Sequence, residues 1–245
     1  MKKIFFCLFL FTPLLFSQTA KEIVKKANEN HLGKTSQGIS KMIVVRPDWT
    51  REVEMKSWSK GTDYYLIYIT KPARDRGKVF LKRKNELWNW IPSIGRMIKL
   101  PPSMMMQSWM GSDFTNDDLL KQSSIVEDYT HKITGEENIN GYNCRIITLL
   151  PKPDAAVVWG KIKMWISQKH FMQMKAEFYD ETLELVNTMI GYNVKKIGKR
   201  RLPMKMEMIP ADKKGYKTIL EYKKIIFDKP LNNRFFTKQN MKKIK

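Results

Sequence analysis

Few residues in this 245-residue chain are of a type that carries out chemistry. The histidines are His31, His131 and His170, and the cysteines are Cys7 and Cys144. A zinc site gathers such groups at short fixed spacings, as in His-x-x-x-His, and none of these five stands at one. There is no Gly-x-Ser-x-Gly turn to present a nucleophile and no glycine-rich loop to cradle a phosphate. Asp113, Asp117 and Asp118 form an acidic group that, with Asn116, invites comparison with a calcium loop. The alternating oxygens, turn glycine and distal glutamate of such a loop are missing. Thr115 followed three residues later by Asp118 reads instead as a capping box at a helix start. The expectation is a protein with no catalytic residue, no metal site and no cofactor.

What remains is binding, and methionine dominates it. Met104, Met105, Met106, Trp109, Met110 and Phe114 crowd one segment beside Pro101, Pro102 and Gly111. The segment lacks strand periodicity, which leaves two readings: a mobile lid or a fixed plug of core. Three stretches alternate apolar and polar residues and place Ile162, Met164 and Ile166, then Met172, Met174, Ala176 and Phe178, then Met204, Met206 and Met208 on inward faces. Such faces are ordinary core or, because methionine is flexible and polarizable, a surface that repacks around varied apolar ligands. Trp88 and Trp90 share one strand face, either lining a pocket or bracing the outside of the sheet.

The elements that must position these residues are mostly strands. A helical pattern over Thr19 to Leu32 repeats Ile23 and Ala27 and ends at Gly33. Period-two patterns then run over Lys41 to Arg46, Arg51 to Lys60, Asp63 to Thr70, Lys78 to Lys84, Glu86 to Ile91 and Arg96 to Leu100. After the methionine-rich interruption they resume over Tyr142 to Leu150, Lys161 to Ser167, Met172 to Tyr179, Leu185 to Asn193, Met204 to Pro210 and Lys217 to Phe227. Lys60 to Asp63 and Arg83 to Glu86 read as hairpin turns. This order excludes alternating βαβ units and predicts an α+β fold, mainly antiparallel β, with helices collected on one face of a sheet that curls.

Met1, Lys2 and Lys3 followed by the apolar run Ile4 to Phe16 have the form of a signal peptide, expected over residues 1–18. The run is too short to span a bilayer, and Cys7 lies inside it rather than behind it, where a lipidated cysteine would stand. Export without a lipid anchor is expected, with residues 19–245 as a single domain and Cys144 as its lone cysteine. The formal charge is +21, and +19 without Lys2 and Lys3. In an exported protein with lysines scattered through strands, nucleic acid is not the expected partner. The basic surface is either a solvated face or an attraction for anionic phospholipid head groups or an acidic partner.

Three blocks are recognisable together: Asp75-Arg76-Gly77-Lys78-Val79-Phe80-Leu81; Leu87-Trp88-Asn89-Trp90-Ile91-Pro92-Ser93; and Met110-Gly111-Ser112-Asp113-Phe114-Thr115 with Asp117-Asp118-Leu119. With Pro203 to Met208 and Thr218 to Tyr222 they resemble the outer-membrane lipoprotein-sorting, LolA-like family over about Lys21 to Asn240. The resemblance implies an incomplete, half-open β-barrel with helices covering its concave side, an apolar cavity between them and no enzymatic step. It implies a periplasmic carrier that receives acylated lipoprotein or another lipid from an inner-membrane transporter and passes it toward an outer-membrane acceptor. The expected lipid-binding residues are Trp88, Trp90, Met104, Met105, Met106, Trp109, Met110, Phe114, Met164, Met174, Met206 and Met208. The alternative is a basic adaptor module of an envelope lipid-export transporter, without cargo of its own.

Overall fold

A computed structural model describes residues 18–84, 86–120 and 124–245. The leader expected over residues 1–18 lies outside them except for Gln18. Helix α1 (Ala20–Leu32) is capped as its ends require: Thr19 Oγ1 accepts from the Glu22 N–H, the Glu22 carboxylate accepts from the Thr19 N–H, and Gly33 closes the helix at φ 65°. A Cβ at Gly33 would come within 2.9 Å of the Phe227 ring, so this turn needs glycine for space as well as conformation.

The strands are β1 (Thr35–Val45), β2 (Thr50–Lys60), β3 (Tyr64–Lys71), β4 (Val79–Arg83), β5 (Glu86–Ile91), β6 (Arg96–Lys99), β7 (Tyr129–Ile139), β8 (Tyr142–Pro151), β9 (Lys161–Ser167), β10 (Gln173–Tyr179), β11 (Leu185–Ile197), β12 (Arg200–Pro210) and β13 (Lys217–Phe227). They form one antiparallel sheet in the order β6-β5-β4-β3-β2-β1-β13-β12-β11-β10-β9-β8-β7. Strand β1 pairs with β13, so the first and last strands meet in the middle while β6 and β7 remain as free edges. The sheet is therefore open, as an incomplete barrel. The described residues between the edges, 100–120 and 124–128, form a segment that holds α2 (Asn116–Leu120) and α3 (Ser124–Glu127). With α1 it covers the inner face of the sheet.

The twelve expected strands all form, several of them longer than their alternation suggested. The thirteenth, β7, is an addition. It pairs with β8 alone, and most of its side chains face solvent, so Tyr129 to Ile139 has no inward apolar set to announce it.

Two apolar clusters fill the inner face. One joins β1 to β5 with Met105, Trp109 and Phe114, through Met42, Val53, Ile67, Phe80 and Leu87. The other joins Ile23, Val24 and Ala27 of α1 to Ile147, Ile162 and Met164 of β8 and β9. The outer face has clusters of its own. Leu66, Val79 and Leu81 pack under Phe236 and Met241 of the C-terminal segment, which ends in α4 (Lys238–Met241). Cys144, Trp165, Met172 and Met174 form a separate outer cluster. No helix among the described residues is long and apolar enough to cross a membrane.

Candidate functional site

A cavity of about 150 Å³ lies between α1 and the inner face of the sheet, where the two inner clusters leave a gap. Met164, Met189, Met206 and Met208 line it together with Phe178 and Leu220. At one end Phe114, Asp117, Asp118 and Trp159 close it. At the other, half-buried Asn30, His31, Phe171 and Gln173 stand where α1 runs out over the strand turns. The walls are mostly apolar with polar groups at both ends, a composition suited to an apolar body carrying a polar head.

Of the expected binding residues, Met164, Met206, Met208 and Phe114 line this cavity. Met174 does not. Gln173 pairs with Ile166 and Lys175 with Trp165, so Met174 is the extra residue of a β-bulge, and the simple alternation fails there. Gln173 faces the cavity, while Met174 packs outside against Trp165 and Cys144. Trp88 and Trp90 also face outward. Their neighbour Leu87 belongs to the inner core, and alternation sends both tryptophans to the opposite side. There Lys238 Nζ stands 3.5 Å from the Trp88 ring centroid and Lys242 Nζ 5.3 Å from that of Trp90, holding the C-terminal segment down.

The methionine-rich segment is packed as core on the β1 to β5 half of the sheet, and apart from Phe114 its expected ligand contacts do not reach the cavity. Met105 and Trp109 are buried, with Trp109 tilted against Phe80 at 5.1 Å between ring centroids. Met110 packs partly on the same cluster, Met104 is half-buried and Met106 is 51% exposed. The breaker residues that interrupt strand periodicity fold the chain into short turns over that cluster.

Two arginines hold the segment. Arg46 Nη1 donates to Asp113 Oδ2 at 3.0 Å and Arg46 Nη2 to the Gly111 carbonyl at 3.1 Å, while the Arg51 guanidinium donates to the Met110 carbonyl. Thr218 Oγ1 donates to the same Asp113 carboxylate at 2.6 Å and accepts from the Asp113 N–H. The conspicuous sequence blocks are thus positioning devices. Asp75 accepts from Lys78 Nζ at 2.6 Å and fixes the turn between β3 and β4, where Gly77 takes φ 85°. Ser112 Oγ donates to the Trp109 carbonyl at 2.7 Å and shapes the turn that delivers Asp113 to Arg46.

Thr115 and Asp118 form the expected capping box: the Asp118 carboxylate accepts from the Thr115 N–H at 2.8 Å and Thr115 Oγ1 accepts from the Asp118 N–H. Asp118 Oδ1 also accepts from Trp159 Nε1 at 3.1 Å. Burial outweighs these hydrogen bonds and pushes the Asp118 carboxyl up to about 6. Burial likewise pushes the Cys144 thiol up to about 11, the opposite of what a nucleophile needs. Among the described residues, no three His, Cys, Asp or Glu side chains are gathered to hold a metal.

Sequence reasoning passed over most of the cavity wall. Asn28, Asn30 and His31 lie on the face of α1 that continues Ile23 and Ala27, so helical spacing was the available signal for them. Tyr65 and Tyr222 approach from β3 and β13. His31 meets Tyr222 edge to face at 6.3 Å, and burial lowers the His31 pKa. Contacts of this kind, between elements far apart in the chain, leave no local signature.

A protein family described as "uncharacterized protein" matches residues 61–243. No curated protein matches the sequence. Three solved structures share the fold. A DUF1329 family protein from Desulfovibrio piger is 21% identical with a TM-score of 0.83, covering 91% of this chain and 97% of its own. A putative outer membrane lipoprotein-sorting protein domain from Vibrio parahaemolyticus is 24% identical with a TM-score of 0.80, over 91% and 98% of the two chains. A LolA superfamily protein from Nitrosomonas europaea is 26% identical with a TM-score of 0.78, over 91% and 100%.

Proposed function

Because this chain belongs to the outer-membrane lipoprotein-sorting, LolA-like family, we propose that it is a non-enzymatic periplasmic carrier that takes acyl chains of a lipoprotein or another lipid into its inner cavity. Residues 19–245 serve as one lipid-binding domain, delivered by a leader over residues 1–18. An inner-membrane transporter is the donor and an outer-membrane site the acceptor. The observation that carries this reading is the methionine-walled gap between α1 and the sheet, lined by Met164, Met189, Met206 and Met208. Unbranched thioether side chains adapt to a chain of variable shape at little cost.

At about 150 Å³ the cavity has the size of one known to admit a benzene-sized molecule. A full acyl chain enters only as α1 or the segment over residues 102–118 moves outward. Each buried CH₂ contributes about 0.8 kcal/mol, so a long chain offsets several kcal/mol of opening. Mass spectrometry of lipid extracted from protein purified out of its native envelope tests the proposal, and reproducible acylated species are expected. A protein without lipid that also takes up no acyl chain in solution overturns it and leaves the adaptor reading.

A further inference from the structure

The antiparallel order sends alternate hairpin turns to opposite ends of the sheet. One end carries the β7–β8, β9–β10, β11–β12, β4–β5 and β2–β3 turns together with the C-terminal end of α1. The other carries the β1–β2, β3–β4, β10–β11 and β12–β13 turns with the Arg46 and Asp113 pair. The two ends differ in how their charges are grouped, although each carries both signs. The second spreads Arg74, Arg76, Arg96, Lys152, Lys213 and Lys214 over several turns and interleaves them with Asp48, Asp154, Asp180, Glu181, Glu184 and Asp212. At the first, the β11–β12 hairpin presents Lys195, Lys196, Lys199 and Arg201, and the β9–β10 turn adds Lys169.

These cations are set apart from the lysines of the strand interiors. Lys175, Lys205 and Lys223 each hold a carboxylate at 2.7 Å on their own strand, on Glu177, Glu207 and Glu221. Lys169, Lys195, Lys196, Lys199 and Arg201 are exposed and have no carboxylate within ion-pair distance among the described residues. In the same hairpin Arg200 does pair, with Asp228 at 2.7 Å. The cluster is also joined to the cavity. Asn30 Nδ2 donates to the Arg201 carbonyl at 3.0 Å, Lys26 Nζ lies 5.2 Å from the Phe171 ring centroid, and Phe171, Leu202 and Asn30 all line the cavity.

We propose that this basic end of the sheet, centred on the β11–β12 hairpin, docks the protein on the surface of an anionic phospholipid bilayer with the half-buried end of the cavity facing the lipid. Unpaired exposed cations match an array of anionic head groups. Half-buried Ile197 at the hairpin tip and Phe171 beside the cavity supply the apolar contact that a bilayer interface accommodates. The Arg46 and Asp113 pair, which ties the methionine-rich segment to the sheet, stands at the far end, away from the docked face. The inference does not depend on which lipid the cavity carries.

Co-sedimentation of the chain with phosphatidylcholine vesicles, with and without phosphatidylglycerol, tests it. The wild-type chain is expected to bind only the anionic vesicles, and more weakly as salt rises. Each basic residue near such a surface is worth about fivefold in partition. Lys196→Gln with Lys199→Gln is therefore expected to weaken binding by about 25-fold, while Lys213→Gln with Lys214→Gln at the opposite end changes it little. Equal losses from the two pairs overturn the proposal in favour of diffuse charge. Failure of the wild-type chain to bind anionic vesicles overturns it in favour of an acidic protein partner. Uptake of a fluorescent fatty acid without vesicles is expected to be unchanged in both variants, which separates failure of docking from failure of the carrier reading.

Discussion

Arg46 and Asp113 are 67 residues apart in the sequence and 3.0 Å apart in the fold, with side chains only 10% and 8% exposed. The arginine lies just past the end of β1, and the aspartate lies in the segment that crosses from one free edge of the sheet to the other. Their pair therefore ties the cover to the sheet. The Gly111 carbonyl and Thr218 share the same knot. A buried ion pair of this sort adds less to net stability than it does to specifying one arrangement of the segment.

Removing one partner leaves the other charge buried. Arg46→Ala is expected to cost about 3 kcal/mol in urea unfolding and to speed amide hydrogen exchange over residues 109–118 well before exchange in β9 and β10 changes. Uniform acceleration across the sheet would show that the pair supports the whole fold rather than the cover.

The cavity wall and the methionine-rich segment separate under polar substitution. Met206 is half-buried in the wall and Met106 is exposed. Met206→Asp sets a carboxylate against the ligand's apolar body and is expected to weaken fatty-acid binding at least about tenfold, since about 1.4 kcal/mol suffices for that loss. Met106→Asp is expected to leave it unchanged. A fluorescence titration with a labelled fatty acid reads both.

Asp118 makes stability depend on pH. Its carboxyl is raised from 3.8 to about 6, so the folded chain binds this proton more tightly than the unfolded chain does. Its contribution is fully present below about pH 4 and is lost as pH rises through about 6, by on the order of 2–3 kcal/mol. Asp118→Asn cannot ionise. Denaturant unfolding of the two proteins between pH 4 and 7 is expected to show wild type losing stability relative to the variant as pH rises.

The outer face is expected to matter for stability and not for ligand. Phe236 is fully buried against Tyr64, with 5.3 Å between ring centroids, under the C-terminal segment. Phe236→Ala is expected to cost about 3–5 kcal/mol in thermal unfolding while fatty-acid affinity stays unchanged. A matching loss of affinity would mean that the outer cluster shapes the cavity through the sheet.

By itself the sequence determined the class of fold and the elements that alternate strongly. Lys161 to Ser167 shows its two faces so plainly that its bounds match the strand, and the helical spacing of Ile23 and Ala27 with Gly33 at the end marks α1. Local pattern carries this information because strand and helix periods are properties of neighbouring residues. Tertiary structure decided which face is which. Trp88 and Trp90 share a face in any strand, but only the packing of Leu87 into the inner core makes that face the outer one. A single inserted residue at Met174 reversed an orientation that alternation had assigned, because a bulge changes register without changing composition. The cavity itself lies between α1 and the inner face of the sheet, mostly β9 to β13. Its existence depends on how far two packed clusters stand apart, a distance that no local spacing of residues encodes.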